Sequence, residues 1–120
     1  MSELLNAEAI KQVDDQRMET VAVPEWQGKV NVRNLTNEES TEFEQFCTDC
    51  RKNGKINLKG VKVALVVRAA CDDCRAPIFG KDDAAWLEKK SGAALNRVFQ
   101  AAQRINGFTK TDIEELAGNS

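Results

Sequence analysis

The chain predicts an α+β fold that is mostly α, on three observations. Apolar residues recur at helical spacing through most of residues 36–117, one short region near the start alternates with period two, and several helix starts carry a capping residue. A length of 120 residues suits one domain that buries roughly 60% or more of its unfolded surface. We therefore expect a single domain over residues 1–120, with a helical arm (1–15), a β-hairpin (19–35) and a helical body (36–117).

The arm is predicted over residues 2–13, where Leu5, Ala9 and Val13 form an i, i+4, i+8 stripe bordered by Ile10. The charged segment Asp14-Asp15-Gln16-Arg17 separates it from the rest. In the hairpin, Val21 and Val23 alternate with their neighbours, as do Val30 and Val32, around a turn containing Gly28; Pro24 ends the first strand and marks it as an edge. Thr36 and Glu39 fit a capping box, which opens a helix carrying Phe43, Phe46, Cys47 and Cys50 at i, i+3, i+4 and i+7. Asn53-Gly54 stops it.

A second helix is expected from about Asn57 to Cys71, with Val63, Val67, Ala70, Cys71 and Cys74 on one face, although its β-branched content also suits a strand. Residues 75–80 read as a loop, after which Asp82 or Asp83 caps a short helix bearing Trp86 and Leu87. Ser91 caps the next, whose buried side is Leu95, Val98, Phe99, Ala102 and Ile105, and Asn106-Gly107 ends it. Thr109 and Asp112 make another capping box, with Phe108 and Ile113 placed for a hydrophobic staple; this last helix stops near Leu116 and Ala117.

Composition narrows the function. With 42% hydrophobic and 30% charged residues, the chain resembles an ordinary soluble globular protein. Seventeen Lys and Arg against 19 Asp and Glu leave a net charge of −2 with no basic block, which argues against nucleic acid and against an anionic membrane surface. The longest apolar stretch, Val61 to Cys71, is broken by Lys62 and Arg68 and is too short to span a bilayer. The start MSELLNAEAI has an acid at Glu3 and no basic region, so no signal peptide is expected. The absence of His removes the commonest general base and metal ligand, so no enzymatic activity and no cofactor are expected.

The cysteines are the sharpest chemical signal. Cys47, Cys50, Cys71 and Cys74 form C-x2-C-x20-C-x2-C, the spacing of a four-thiolate zinc site, and a small zinc-binding adaptor is the alternative function they raise. Against it, both pairs fall on apolar stripes, where free Cys packs as a small hydrophobe, and the intervening valines suit a core. A thiol–disulfide enzyme is weaker still, because Cys71 lies beside Asp72 and Asp73, and Cys47 near Glu44 and Asp49, all of which disfavour a thiolate. We expect no bound metal; four thiols without an export signal suit a reducing cytoplasm.

The acid pairs Glu38-Glu39, Asp72-Asp73, Asp82-Asp83 and Glu114-Glu115 sit at caps or on polar faces and read as solvated. Neither a Walker-type nor a G-x-G-x-x-G phosphate loop is present. Trp86 is expected in the core, and Trp26, at the hairpin turn, is a candidate partner anchor.

Several phrases resemble the tail assembly chaperones of long-tailed bacteriophages. They are Glu19-Thr20-Val21-Ala22-Val23-Pro24-Glu25-Trp26-Gln27-Gly28 leading into Val30-Asn31-Val32-Arg33, and Leu35-Thr36 before an acidic helix with Phe43. Further along come Pro77-Ile78-Phe79, Leu87-Glu88-Lys89-Lys90-Ser91, Ala94-Leu95-Asn96-Arg97-Val98-Phe99 and Arg104-Ile105-Asn106-Gly107-Phe108-Thr109. The likeness runs from the first helix to about Leu116 and rests on the order and spacing of ordinary residues. The paired C-x2-C pattern is a departure, which leaves the cysteines as core residues or as a local metal site.

The resemblance implies a non-catalytic protein of the host bacterial cytoplasm, absent from the mature virion. It implies binding to the tape measure protein, help in gathering tail tube protein around it, and a longer form made by ribosomal frameshift. Serving a long client calls for many copies, so a homo-oligomer is expected, with Leu5, Ala9, Ile10 and Val13 as the self-association residues.

Overall fold

Valines spaced by two bring the first two strands together. In the computed structural model, which describes residues 4–54 and 56–118, β1 (Met18–Val23) pairs antiparallel with β2 (Gly28–Arg33), Val21 opposite Val30 and Val23 opposite Gly28. A 3-10 turn over Pro24–Trp26 joins them, and the left-handed residue that closes it is Gln27 (φ 58°) rather than the Gly28 that follows. The inward side chains Val23 and Val32 are fully buried.

The sheet has a third strand that the helical reading of residues 57–71 did not contain. Helix α2 (Asn37–Lys52) is followed by α3 (Leu58–Ala69), which stops two residues early because Ala70 turns to extended backbone. Ala70 and Cys71 then form β3, antiparallel to β2 with Asn31 opposite Cys71, in the sheet order β1-β2-β3. Cys74 accordingly lies in the turn beyond β3 and not on a helical face; Asp72 Oδ1 accepts from the Cys74 and Ala76 amides at 2.8 and 3.0 Å. β1 is an edge strand, as Pro24 at its end predicts.

Local capping sets the helix starts. Thr36 Oγ1 accepts from the Glu39 amide at 3.2 Å while Glu39 Oε1 accepts from the Thr36 amide at 3.0 Å, and Thr109 with Asp112 does the same. Asn57 and Ser91 cap α3 and α5 (Gly92–Ile105), and α6 (Lys110–Leu116) closes the body. The short α4 (Ala84–Leu87) is entered through a 3-10 turn over Lys81–Asp83, in which Asp83, not Asp82, accepts from the Gly80 amide at 2.7 Å.

Helix α3 is the centre of the molecule. It buries Val61, Val63, Ala64, Leu65, Val66, Val67 and Ala69, so almost no side of it faces water. Helix α5 packs between α3 and the sheet, burying Leu95, Val98, Phe99 and Ala102. From α2 only Phe43 and Cys47 reach full burial, and Phe108 meets Phe43 edge to face at 5.7 Å between ring centroids. Arg33, buried on β2, ties sheet to helices: Nη1 pairs with Glu39 at 3.0 Å and Nη2 donates to the Arg68 carbonyl at 3.0 Å. Asn106 adds a second tie, accepting from the Leu35 amide at 2.7 Å and donating to the Ala102 carbonyl at 2.9 Å.

The arm helix α1 (Ala7–Gln12) is shorter than expected. Asn6 Oδ1 accepts from the Ala9 amide at 2.9 Å and starts the helix there, and Val13 leaves it in extended conformation. Residues 2 and 3 of the expected helix lie outside the described residues. No residue of α1 is buried. Among the described residues no helix is long and apolar enough to cross a membrane.

Candidate functional site

The four cysteines are the first place to look for chemistry, and the fold gives them different surroundings. Cys47 is buried on α2, Cys50 is half-buried one turn on, Cys71 is buried on β3 and Cys74 is exposed in a turn. Among the described residues no three Cys, Asp, Glu or His side chains come together in an arrangement able to hold a metal ion. Burial pushes the Cys47 thiol up to about 11, and burial likewise raises Cys71. Desolvation, more than the neighbouring acids named from the sequence, holds these two thiols protonated at neutral pH.

The acids are engaged in structure. Arg68 holds Glu42 through two hydrogen bonds at 2.8 and 3.0 Å and lowers its pKa. Burial pushes the Glu39 carboxyl up, but the Thr36 amide and Arg33 outweigh it, so its pKa also lies below the ordinary range. Arg97 lowers the pKa of Glu25 in the same way, across a pair at 2.9 Å. Asp83 is held low by the Gly80 amide and by the indole N–H of Trp86 at 2.8 Å. Each carboxylate so described is paired or capping.

What the surface does offer is apolar. An open groove of about 470 Å³ runs between the hairpin turn and α4, lined by Trp26, Val30, Ile78, Phe79, Trp86 and Leu87. Its two tryptophans reverse the expectation for Trp86. Trp86 is 44% exposed, because α4 is a single turn that buries Leu87 inward and sends Trp86 outward, where Asp83 and an edge-to-face contact with Phe79 (5.9 Å) hold it. Trp26 is half-buried against the core, and its indole N–H is buried without an acceptor. Ile78, 46% exposed, completes the rim. A second groove of about 260 Å³ lies between α2, α3 and α4, where Phe46 is exposed under the guanidinium of Arg68.

The arm residues named from the sequence, Leu5, Ala9, Ile10 and Val13, are all exposed, but only Ala9 and Ile10 lie inside α1. Leu5 precedes the Asn6 cap and Val13 is the residue on which the helix ends. Asn34 Oδ1 accepts from the Arg17 amide at 2.7 Å, and Arg75, in the left-handed region (φ 67°), donates to the Arg17 carbonyl at 2.7 Å. Asn34 Nδ2 also donates to the Asp15 carbonyl at 3.0 Å, so the chain is fastened to the body from Asp15 onward. Sequence reasoning missed Ile78 and Phe46 as surface residues. Phe46 sits at i+3 from Phe43 on the border of its stripe, and Ile78 follows Pro77 in a loop without periodicity.

The family model for phage tail assembly chaperones matches residues 5–119. Among solved structures, the chain is similar to the bacteriophage HK97 tail assembly chaperone, with a TM-score of 0.55 and 27% identity, covering 75% of this chain and 85% of that one. No curated protein matches the chain.

Proposed function

The chain belongs to the phage tail assembly chaperone family, and from that premise we propose that it binds the tape measure protein, keeps it soluble and promotes assembly of tail tube protein around it. The family match over residues 5–119 is the observation that carries this reading. The chemistry agrees with a binding role: apolar grooves with exposed aromatic rims are what an interaction protein presents, and the carboxylates of Glu25, Glu39, Glu42 and Asp83 are held in ion pairs or caps. The work belongs to the host bacterial cytoplasm, before the virion is complete, and involves several copies of this chain together with a longer frameshifted form. Leu5, Ala9, Ile10 and Val13 are the self-association residues, since among the described residues their apolar surface is left exposed.

Co-expression with the tape measure protein of the same phage tests this. The tape measure protein should move from the insoluble to the soluble fraction and co-purify with this chain. If it stays insoluble at matched expression, or becomes soluble without retaining this chain, the reading fails.

A further inference from the structure

We propose that the outer edge of β1 pairs antiparallel with β1 of a second copy, about a two-fold axis at Thr20, joining two three-stranded sheets into one. The pairing goes beyond the function proposed above and uses a surface separate from the apolar residues of the arm. Hydrogen-bond parity along β1 identifies its free groups. The Asn34 amide donates to the Arg17 carbonyl at 3.2 Å, in the register that sets Met18 opposite Arg33 and Val23 opposite Gly28. Antiparallel pairs alternate between bonded and non-bonded, so Glu19, Val21 and Val23 bond to β2. Met18, Thr20 and Ala22 therefore turn their N–H and C=O groups away from the sheet. All three residues are exposed, and among the described residues none makes another backbone hydrogen bond.

The chain treats the two edges of its sheet differently. Beyond β3, the Ile78 amide donates to the Ala70 carbonyl at 3.2 Å and Cys71 bridges to Pro77, so the returning chain covers that edge. Among the described residues β1 has no such cover, and it carries neither a lysine nor an internal proline, two common devices that keep an edge from pairing. A second β1 is the occupant that closes both free edges at once, whereas any other strand leaves a new edge. The strand also suits itself in one register. With Thr20 opposite the partner's Thr20, Met18 faces the partner's Ala22 and Glu19 faces the partner's Val21, and each bonded pair exchanges two hydrogen bonds. Sliding the strands one way sets Glu19 against the partner's Glu19, like charges directly opposite. Sliding them the other way sets Met18 against the partner's Pro24, which has no N–H to donate. Glu19 is the one charged residue of β1, and Arg104 of its own chain pairs with it at 2.7 Å, so the centred register buries no uncompensated strand charge. This contact closes at two copies, and a larger assembly adds a second surface such as the arm.

Disulfide trapping between separately purified chains tests the pairing. In a C50S/C74S background, a chain carrying M18C is mixed under mild oxidant with one carrying A22C. Bonded antiparallel pairs hold their Cα atoms about 5.5 Å apart, within disulfide reach. M18C and A22C should link to each other and T20C to itself, whereas A22C alone should stay unlinked. Thr20→Pro removes the outward N–H without touching a backbone bond to β2, and should lower the M18C–A22C yield roughly tenfold. Thr20→Lys sets like charges on the axis and should lower it about two- to fivefold, which keeps the test open if the proline variant misfolds. Linkage of A22C to itself in preference to M18C, a yield that both Thr20 variants leave unchanged, or no link at all overturns the pairing. A link that forms only to co-expressed tape measure protein assigns the edge to that client and overturns it too. Deletion of residues 1–13 should leave the M18C–A22C link intact, so loss of the arm reading and loss of this one are distinguishable.

Discussion

Helices α1 and α3 both carry aliphatic residues at helical spacing, and they end in opposite surroundings. Helix α3 is walled in by α2, α5 and α6 and hides seven apolar residues, whereas α1 hides none. Part of the reason is length: α3 has 12 residues and valines on nearly every side, while α1 has six, cut short by Asn6. The rest is tethering. Residues 14–17 are all exposed, and the bonds that hold Asp15 and Arg17 to the body through Asn34 and Arg75 are polar, so the stripe of the arm stays exposed. Apolar periodicity thus states that a surface wants cover, and the linker decides whether the cover comes from the same chain.

The comparison breaks most sharply under alanine substitution. Leu65→Ala in α3 should cost about 2–5 kcal/mol through the cavity it leaves, while Ile10→Ala should stay within about 0.5 kcal/mol. Urea unfolding of both variants decides it; equal losses would mean that the arm packs on its own body. Arg33→Ala should fall between, at about 1–3 kcal/mol, since it strips Glu39 and the Arg68 carbonyl of a donor. The same denaturation assay reads it.

Acid sharpens the contrast further. Glu39 and Glu42 are held low in the folded body, so their stabilisation is complete above the unfolded carboxyl value of about 4.3 and is lost as pH falls through the lower folded values. Melting temperature should fall below about pH 4, by less in Glu42→Gln, and deletion of residues 1–13 should leave that profile unchanged. The smallest effect concerns the thiols. A metal chelator should leave the melting temperature where it was, and iodoacetamide at neutral pH should modify exposed Cys74 well before buried Cys47 and Cys71. Mass spectrometry of the alkylated peptides, with metal content from the same sample, checks both.

Elements written by local chemistry were legible in the sequence. Thr36 with Glu39 and Thr109 with Asp112 form the capping boxes their spacing announces, and the buried face of α5 follows its periodicity. What escaped was decided by contacts distant in sequence. Ala70 and Cys71 leave the helix because β2 offers them a partner, and a two-residue strand has no periodic signature. Trp86 faces outward because α4 is too short to choose a face by periodicity and Leu87 takes the inward position. Cys47 and Cys71 are buried, as their apolar stripes suggest, while Cys74, expected on the same face as Val63 and Val67, is exposed in the turn beyond β3. The candidate groove was half legible: Trp26 was named, while Ile78 and Phe79 joined it only through the turn that returns the chain along β3.

The clamp on Asp15 and Arg17 also works as a ruler. Asn34 and Arg75 fix where the chain leaves the body, and Asn34 Nδ2 also donates to the Asp15 carbonyl at 3.0 Å, so Asp14 alone separates that anchor from the last apolar residue of the arm. Fully extended, the two steps from Val13 to Asp15 reach no more than about 7 Å. Under the self-association proposed above, so short a leash limits the arm to the copy directly beside it.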